Sequence, residues 1–195
     1  MTATFDLFDL PRALEENGAL LNGHFKLSSG RHSAQFIQKF RILEHPKLVE
    51  RIAAEMIARL PQSARPNVVV SAAVGGIVLG YEVARQLGVR AIFVEKEGGV
   101  PTLRRGFTLG PQDRAFVVED VVTTGLSVKE VLDIVRTLGA AAVGLGVIVR
   151  REPVEFGLPT VALVDLPIAS FAPEECPKCK AGEPIDEPGS RFLAS

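Results

Sequence analysis

The sequence predicts an α/β protein: a central parallel sheet flanked by helices, with a small N-terminal hood beside it. Three observations carry this. The runs "NVVVSAA", "RAIFVE" and "AFVVED" are apolar and rich in β-branched residues, without the polar alternation of a half-exposed strand. Helical periodicity fills the intervals between such runs, and glycines punctuate the joins. A chain that alternates strand and helix in this way builds a sheet covered on both faces, whose ligands bind at the carboxyl ends of the strands.

The elements follow in order. A short helix ends near Leu14, and in "HFKLSSGRHSAQFIQKF" Gly30 turns between two extended pieces that form the hood. From Pro46 to Leu60 the apolar residues Leu48, Val49, Ile52, Ala53, Met56, Ile57 and Leu60 share one helix face. The strand "NVVVSAA", the turn "VGG" and the helix "IVLGYEVARQLG" make one unit, stopped by Gly88. Two strands follow, the second expected to end at Val118. A helix marked by Val128, Val131, Leu132, Val135 and Leu138 then runs to Gly139. "AAVGLGVIV" and "TVALVDL" supply two more strands, and the prolines after Leu166 argue against any further regular element.

At 195 residues and 47% apolar content, the chain can bury one substantial core, so a single domain over 1–195 is expected. Its parts are a hood (1–45), an α/β core (46–166) and a Pro-rich tail (167–195). The net charge of −1 gives no reason to expect nucleic acid as a partner. No basic segment with an apolar stretch follows Met1, and no run approaches the roughly 18 apolar residues that span a bilayer. The expectation is a soluble, cytoplasmic protein with no membrane partner. Cys176 and Cys179 form one "CPKC", for which a structural zinc would need two more ligands from elsewhere, so a thiol pair in a loop is the simpler reading. His24, His32 and His45 have no carboxylate partner at a telling spacing and receive no catalytic role.

The stretch "FVVEDVVTTGLS" carries the chemistry. Thr123 to Ser127 set three hydroxyls and backbone N–H groups at a helix N-terminus, a cup for phosphate, and Gly125 permits the tight turn. Glu119 and Asp120 would repel phosphate, so their partners are hydroxyl donors or a hard cation, as ribose hydroxyls would supply. A ribose 5-phosphate has both features.

"VVEDVVTTGLS" resembles the phosphoribosyl pyrophosphate signature of type I phosphoribosyltransferases. "GHFKLSSGRHS" and "CPKCKAGEPIDEPGSR" are similar to segments of orotate phosphoribosyltransferases, and the resemblance covers nearly the whole chain. It implies the type I phosphoribosyltransferase fold and transfer of phosphoribosyl to N1 of orotate, giving orotidine 5′-monophosphate and pyrophosphate in UMP synthesis. Mg²⁺ would be held mainly through pyrophosphate, with no direct protein ligand. Purine or uracil transfer, and a non-catalytic sensor of phosphoribosyl pyrophosphate, are the alternatives.

For the residues, the resemblance implies that Glu119 and Asp120 hold the ribose hydroxyls and that Glu119 to Ser127, with Val121, Val122, Thr123, Thr124, Gly125 and Leu126 between, wrap the phosphoribosyl group. Gly75 and Gly76 in "SAAVGG" would approach the diphosphate. "VEKEGGVPTLRRGF" would be a flexible loop closing over it with Lys96, Arg104 and Arg105, Lys96 and Asp120 being the catalytic pair. Arg151 would meet the orotate carboxylate, with Arg150 the alternative; Thr123 would touch the base, and Phe36 and Ile37 would contact it through their backbone, their side chains belonging to the core. Ser28 and Gly75 stand where some relatives carry lysine. Lys26, on the same strand face as Ser28, is the candidate replacement. A homodimer with shared active sites is also implied.

Overall fold

Two sheets organise residues 9–27 and 29–188, which the computed structural model describes. The smaller is the hood. Helix α1 (Leu10–Glu16) is capped by the Asp9 side chain, which accepts from the Arg12 N–H at 3.1 Å. Strands β1 (Leu20–Lys26) and β2 (His32–Ile37) then pair antiparallel around Gly30, whose φ of +80° suits a residue without Cβ.

Helices α2 (Phe40–Leu43) and α3 (Pro46–Ala58) lead into the larger sheet. Its elements are β3 (Val68–Ala72), α4 (Gly75–Leu87), β4 (Arg90–Glu97), β5 (Val100–Leu103), β6 (Arg114–Val122), α5 (Leu126–Thr137), β7 (Ala141–Arg150) and β8 (Thr160–Asp165). The strand order is β5-β4-β3-β6-β7-β8, with every neighbouring pair parallel except β4 and β5. The expected parallel sheet thus carries one antiparallel edge.

Side chains alternate across β6. Phe116 and Val118 enter a core with Ile52, Met56, Leu79 and Val83 of α3 and α4, while Val117 enters the opposite core with Val128, Val131, Leu132 and Val135 of α5. Burying each such side chain stabilises the fold by about 1.5–3 kcal/mol. On β7, a Cβ at Gly146 would overlap Met56 Sδ and lie 2.8 Å from Phe116 Cζ, so the glycine makes room for α3 against the sheet.

Three expectations need correction. Strand β6 does not end at Val118 but continues through Glu119 and Asp120 to Val122, because its register with β7 persists to Val122 and Arg150. The "VEKEGGVPTLRRGF" segment contains the β4–β5 hairpin, since Gly98 and Gly99, at φ +56° and +85°, form the two-residue turn that a twisted hairpin favours. The Pro-rich tail is not without regular structure. Strand β9 (Ser170–Phe171) pairs with β2, and after a 3₁₀ turn at Pro173–Glu175 comes the single turn α6 (Pro177–Lys180), which holds Cys179. Farther on, Asp186 donates its N–H to the His24 carbonyl at 2.8 Å and accepts from the Lys26 N–H at 2.9 Å. Both edges of the hood hairpin are therefore covered by later residues.

The continuation of β6 buries two adjacent carboxylates, Glu119 at 5% and Asp120 at 1% exposure. Burial, reinforced by the Asp120 charge, pushes the Glu119 carboxyl up from its usual 4.5 to about 7, with the Ser127 hydroxyl and the Lys39 ammonium pulling the other way. Below about pH 4.5 both folded and unfolded chains hold this proton; between 4.5 and 7 only the folded chain keeps it. Stability should therefore fall as pH rises through that window, by roughly 3 kcal/mol in full. Urea unfolding at pH 5 and pH 8 should show Glu119→Gln gaining on the unsubstituted protein by an amount of that order at the higher pH. A stability difference independent of pH would mean that Glu119 stays ionised throughout.

Candidate active site

A cavity of about 510 Å³ lies between the hood and the carboxyl end of β6. The hood supplies Arg31, Phe36 and Ile37, the end of β6 supplies Asp120 and Val121, and the following turn supplies Thr123 and Thr124. Arg151, just past β7, completes the opposite wall.

At the floor, Lys39 Nζ lies 2.7 Å from Asp120 Oδ2 and donates to Oδ1 at 3.0 Å. Oδ1 also accepts from the Val121 N–H at 2.6 Å. The lysine comes from the end of the hood and the aspartate from the core sheet, so the ion pair closes the joint between them. Beside it, a Cβ at Gly75 would overlap Asp120 Oδ2 and come within 2.8 Å of Lys39 Nζ. A side chain at 75 has no room here, and Lys39 brings a cation to the space beside that glycine. Gly76 packs behind, where a Cβ would lie 3.2 Å from Ser71 Cβ and 3.5 Å from Glu119 Oε1.

The turn after β6 is fixed by Gly125, which has φ +74° and would place a Cβ 2.8 Å from Phe156 Cζ. Its carbonyl accepts from Lys129 N–H at 3.0 Å, opening α5. The hydroxyl-bearing residues Thr123 and Thr124 thus stand in the cavity wall immediately before a twelve-residue helix, whose first N–H groups and positive dipole end favour an anion.

The two arginines after β7 differ sharply. Arg150 is tied to Asp165, its Nε at 2.6 Å from Oδ1 and Nη2 at 3.2 Å from Oδ2. Arg151 lines the cavity, with its Nε buried and without a hydrogen-bond partner among the described residues, while its Nη2 reaches only the Ile168 carbonyl at 3.4 Å. Desolvation pushes its guanidinium pKa below the ordinary value, although guanidinium keeps its proton in proteins. A buried donor of this kind calls for an anionic acceptor.

Of the residues singled out from sequence, the structure therefore gathers Phe36, Ile37, Asp120, Val121, Thr123, Thr124 and Arg151 around one cavity. Glu119, Val122, Gly125, Leu126 and Ser127 sit beneath or beyond its wall. Lys26 pairs with Glu187 at 2.8 Å, Lys96 with Glu130 at 2.7 Å, Arg104 with Glu97 at 3.2 Å and Arg105 with Glu95 at 2.9 Å, and none of the four lines the cavity. Ser28 lies outside the described residues. Sequence reading missed Lys39, Arg31, Gln38 and Glu152 in the lining. For Lys39 a signal existed: a lone lysine between Ile37 and Phe40 where the second hood strand ends. Arg31 is held by Ser170, donating to its carbonyl at 2.6 Å and its hydroxyl at 2.9 Å, a contact that no local spacing announces.

The phosphoribosyl transferase domain family matches residues 41–154. The orotate phosphoribosyltransferase of Pelotomaculum thermopropionicum is 49% identical over 181 residues, covering 92% of this chain and 95% of the relative. That of Caldanaerobacter subterraneus is also 49% identical, covering 88% and 90%. Among solved structures, orotate phosphoribosyltransferase from Aeropyrum pernix superposes with a TM-score of 0.67 at 27% identity, over 80% of this chain and 93% of that one. An adenine phosphoribosyltransferase from Thermoanaerobacter pseudethanolicus shares the fold, with a TM-score of 0.58 at 18% identity over 68% and 88%. Architecture is thus common to enzymes of different bases, and the near-complete alignment at almost half identity is what discriminates: the chain belongs to the orotate phosphoribosyltransferase family.

Proposed function

We propose that the cavity binds phosphoribosyl pyrophosphate and orotate together and transfers the phosphoribosyl group to N1 of orotate, releasing pyrophosphate and forming orotidine 5′-monophosphate for UMP synthesis. The observation that carries this is Arg151, a partly desolvated guanidinium whose buried Nε has no acceptor among the described residues, facing the same cavity as Asp120 and the Thr123–Thr124 turn. A neutral purine or uracil offers it no carboxylate.

In the reaction the bond from C1 of the ribose to the pyrophosphate oxygen lengthens, positive charge builds on the ribose, and N1 of orotate closes on C1 as its N–H bond breaks, the proton leaving with the departing diphosphate. Asp120 accepts from the ribose hydroxyls, and Glu119, under it, holds Asp120 in place through the Asp120 N–H, which donates to Glu119 Oε1 at 3.1 Å. The Thr123 to Ser127 turn receives the 5′-phosphate. Arg151 orients the orotate carboxylate by its planar fork, and Phe36 and Ile37 wall the base. Such positioning is the larger part of catalysis for a reaction that needs two partners aligned. Lys39, rather than Lys26, is the cation beside Gly75 at the start of α4 and the natural neighbour of the leaving diphosphate.

Magnesium fits this site as an ion carried in on the diphosphate: the only acids lining the cavity among the described residues are Asp120, already paired with Lys39, and Glu152, not the set of carboxylates an all-protein cage needs. Bound there, it would neutralise charge on the leaving group. Lys96 lies on the β4–β5 hairpin and Arg104 and Arg105 directly follow it, and none of the three lines this chain's own cavity; a homodimer in which this segment serves the partner's site would give these cations a role. Val74, Val78 and Tyr81 add an exposed apolar stripe along α4 for self-association. No helix among the described residues is long and apolar enough to cross a membrane, and a cytoplasmic location suits the charged, phosphorylated substrates.

Loss of orotate absorbance with phosphoribosyl pyrophosphate and Mg²⁺ tests the reading, with uracil and hypoxanthine as controls. Arg151→Ala should lower kcat/KM for orotate about 100-fold, the cost of about 3 kcal/mol for removing one partner of a desolvated charged contact, whereas Arg150→Ala should change it little. Equal losses in the two variants would refute the assignment. Lys39→Arg, which keeps a cation beside Asp120 and so the hood docked, should raise KM for phosphoribosyl pyrophosphate about threefold, with little effect on that for orotate. The reverse pattern would place Lys39 on the base. Mixed Lys96→Ala and Asp120→Asn chains should recover roughly a quarter of full activity if one subunit's hairpin completes the other's site; no recovery after verified subunit exchange would mean that each chain works alone.

A further inference from the structure

The fold supplies the two ligands that the "CPKC" pair lacks. His24 from β1 and His32 from β2 meet Cys176 and Cys179, and the four ligand atoms all lie within 4.8 Å of one another. His24 Nε2 is 3.4 Å from His32 Nδ1, 3.5 Å from Cys176 Sγ and 3.6 Å from Cys179 Sγ, and His32 Nδ1 is 3.1 Å from Cys179 Sγ. Four ligands at about 2.3 Å (sulfur) and about 2.0–2.1 Å (nitrogen) from one tetrahedral ion would stand about 3.4 Å apart for N–N and about 3.6 Å for S–N. The observed separations are close to these.

The protonation pattern agrees. His24 Nδ1 lies 3.0 Å from the Glu183 carbonyl, which can only accept, so Nδ1 carries the proton and Nε2 presents a lone pair to the cluster. A backbone acceptor behind a ligating imidazole is the usual outer partner of a metal-bound histidine. We propose that His24, His32, Cys176 and Cys179 hold one Zn²⁺ as a structural clasp between the tail and the hood. Two thiolates with two imidazoles in tetrahedral array select zinc or an iron–sulfur centre. The mixed S–N approaches around a single point favour one mononuclear ion, since a two-iron cluster ligated by two cysteines and two histidines keeps its sulfur and nitrogen ligands on different irons. With all four positions taken by protein, the site is closed to substrate and serves the fold. Binding releases the two thiol protons.

The clasp would reinforce the backbone pairing of Asp186 with β1, which carries the tail to Pro188 at the cavity edge. This assignment stands apart from the catalytic reading and is tested without activity. Full-length protein, purified without a metal-affinity tag and incubated with Zn²⁺, is dialysed against a weak chelator and its zinc measured by mass spectrometry. One zinc per chain is expected, with loss in Cys179→Ser, whose cysteine is exposed, and in His32→Ala as a second variant. Co²⁺ in place of zinc should give intense tetrahedral d–d bands and thiolate-to-cobalt charge transfer. Zinc well below one per chain in the unsubstituted protein, equal retention in the variants, or a Cys176–Cys179 disulfide in protein kept under reducing conditions would each overturn the proposal.

Discussion

An ionised carboxylate inside a sheet persists only where a cation or donors compensate it, and removing such a partner from a buried pair leaves an uncompensated charge. Asp120 meets this condition through Lys39 and the Val121 N–H. Because the ammonium arrives from the end of the hood, the core sheet is electrostatically complete only when the hood is docked. The same requirement dictates glycine at 75, whose Cβ would occupy the space of the pair. Hood docking, the glycine start of α4 and the acid pair are therefore one problem with one solution, and the cavity is the space that this solution leaves.

Much of the fold was readable because its periodicities are strong. Apolar runs without alternation identified the buried strands, and the helix beginning at Pro46 and the glycine stop at Gly88 follow directly from local chemistry. The end of β6 was misplaced because Glu119 and Asp120 look like solvated residues when only propensity is weighed. Their burial depends on Lys39, some eighty positions earlier, which nothing local to the acids reveals. Gly98 and Gly99 were read as looseness, though two adjacent glycines between paired runs also describe a tight turn.

The candidate site divides along the same line. The turn from Thr123 to Ser127 is a contiguous motif, so it could be read directly. The resemblance favours Arg151 over Arg150 by register alone; the physical reason lies in Asp165, which captures one and leaves the other facing the cavity. Likewise, two histidines without local partners and a lone pair of cysteines carried little meaning until β1, β2 and the tail brought all four together. Long-range pairing turned weak local signals into specific geometry.

The dependence of the hood on residues near Cys176 and Asp186 bears on how the molecule acquires its shape during synthesis. His24 and Cys176 are separated by 152 positions, and Lys26 and Glu187 by 161. Closing loops of that length adds little to the equilibrium cost relative to somewhat shorter ones, but it slows formation of the contacts. On the ribosome, the α/β layers have all their strands before the tail emerges, whereas the early hairpin waits with both flanks unprotected. An uncovered strand edge invites pairing with another chain. The tail therefore acts late in biogenesis as an intramolecular shield, ending the interval in which a nascent hood is most open to misassembly with its neighbours.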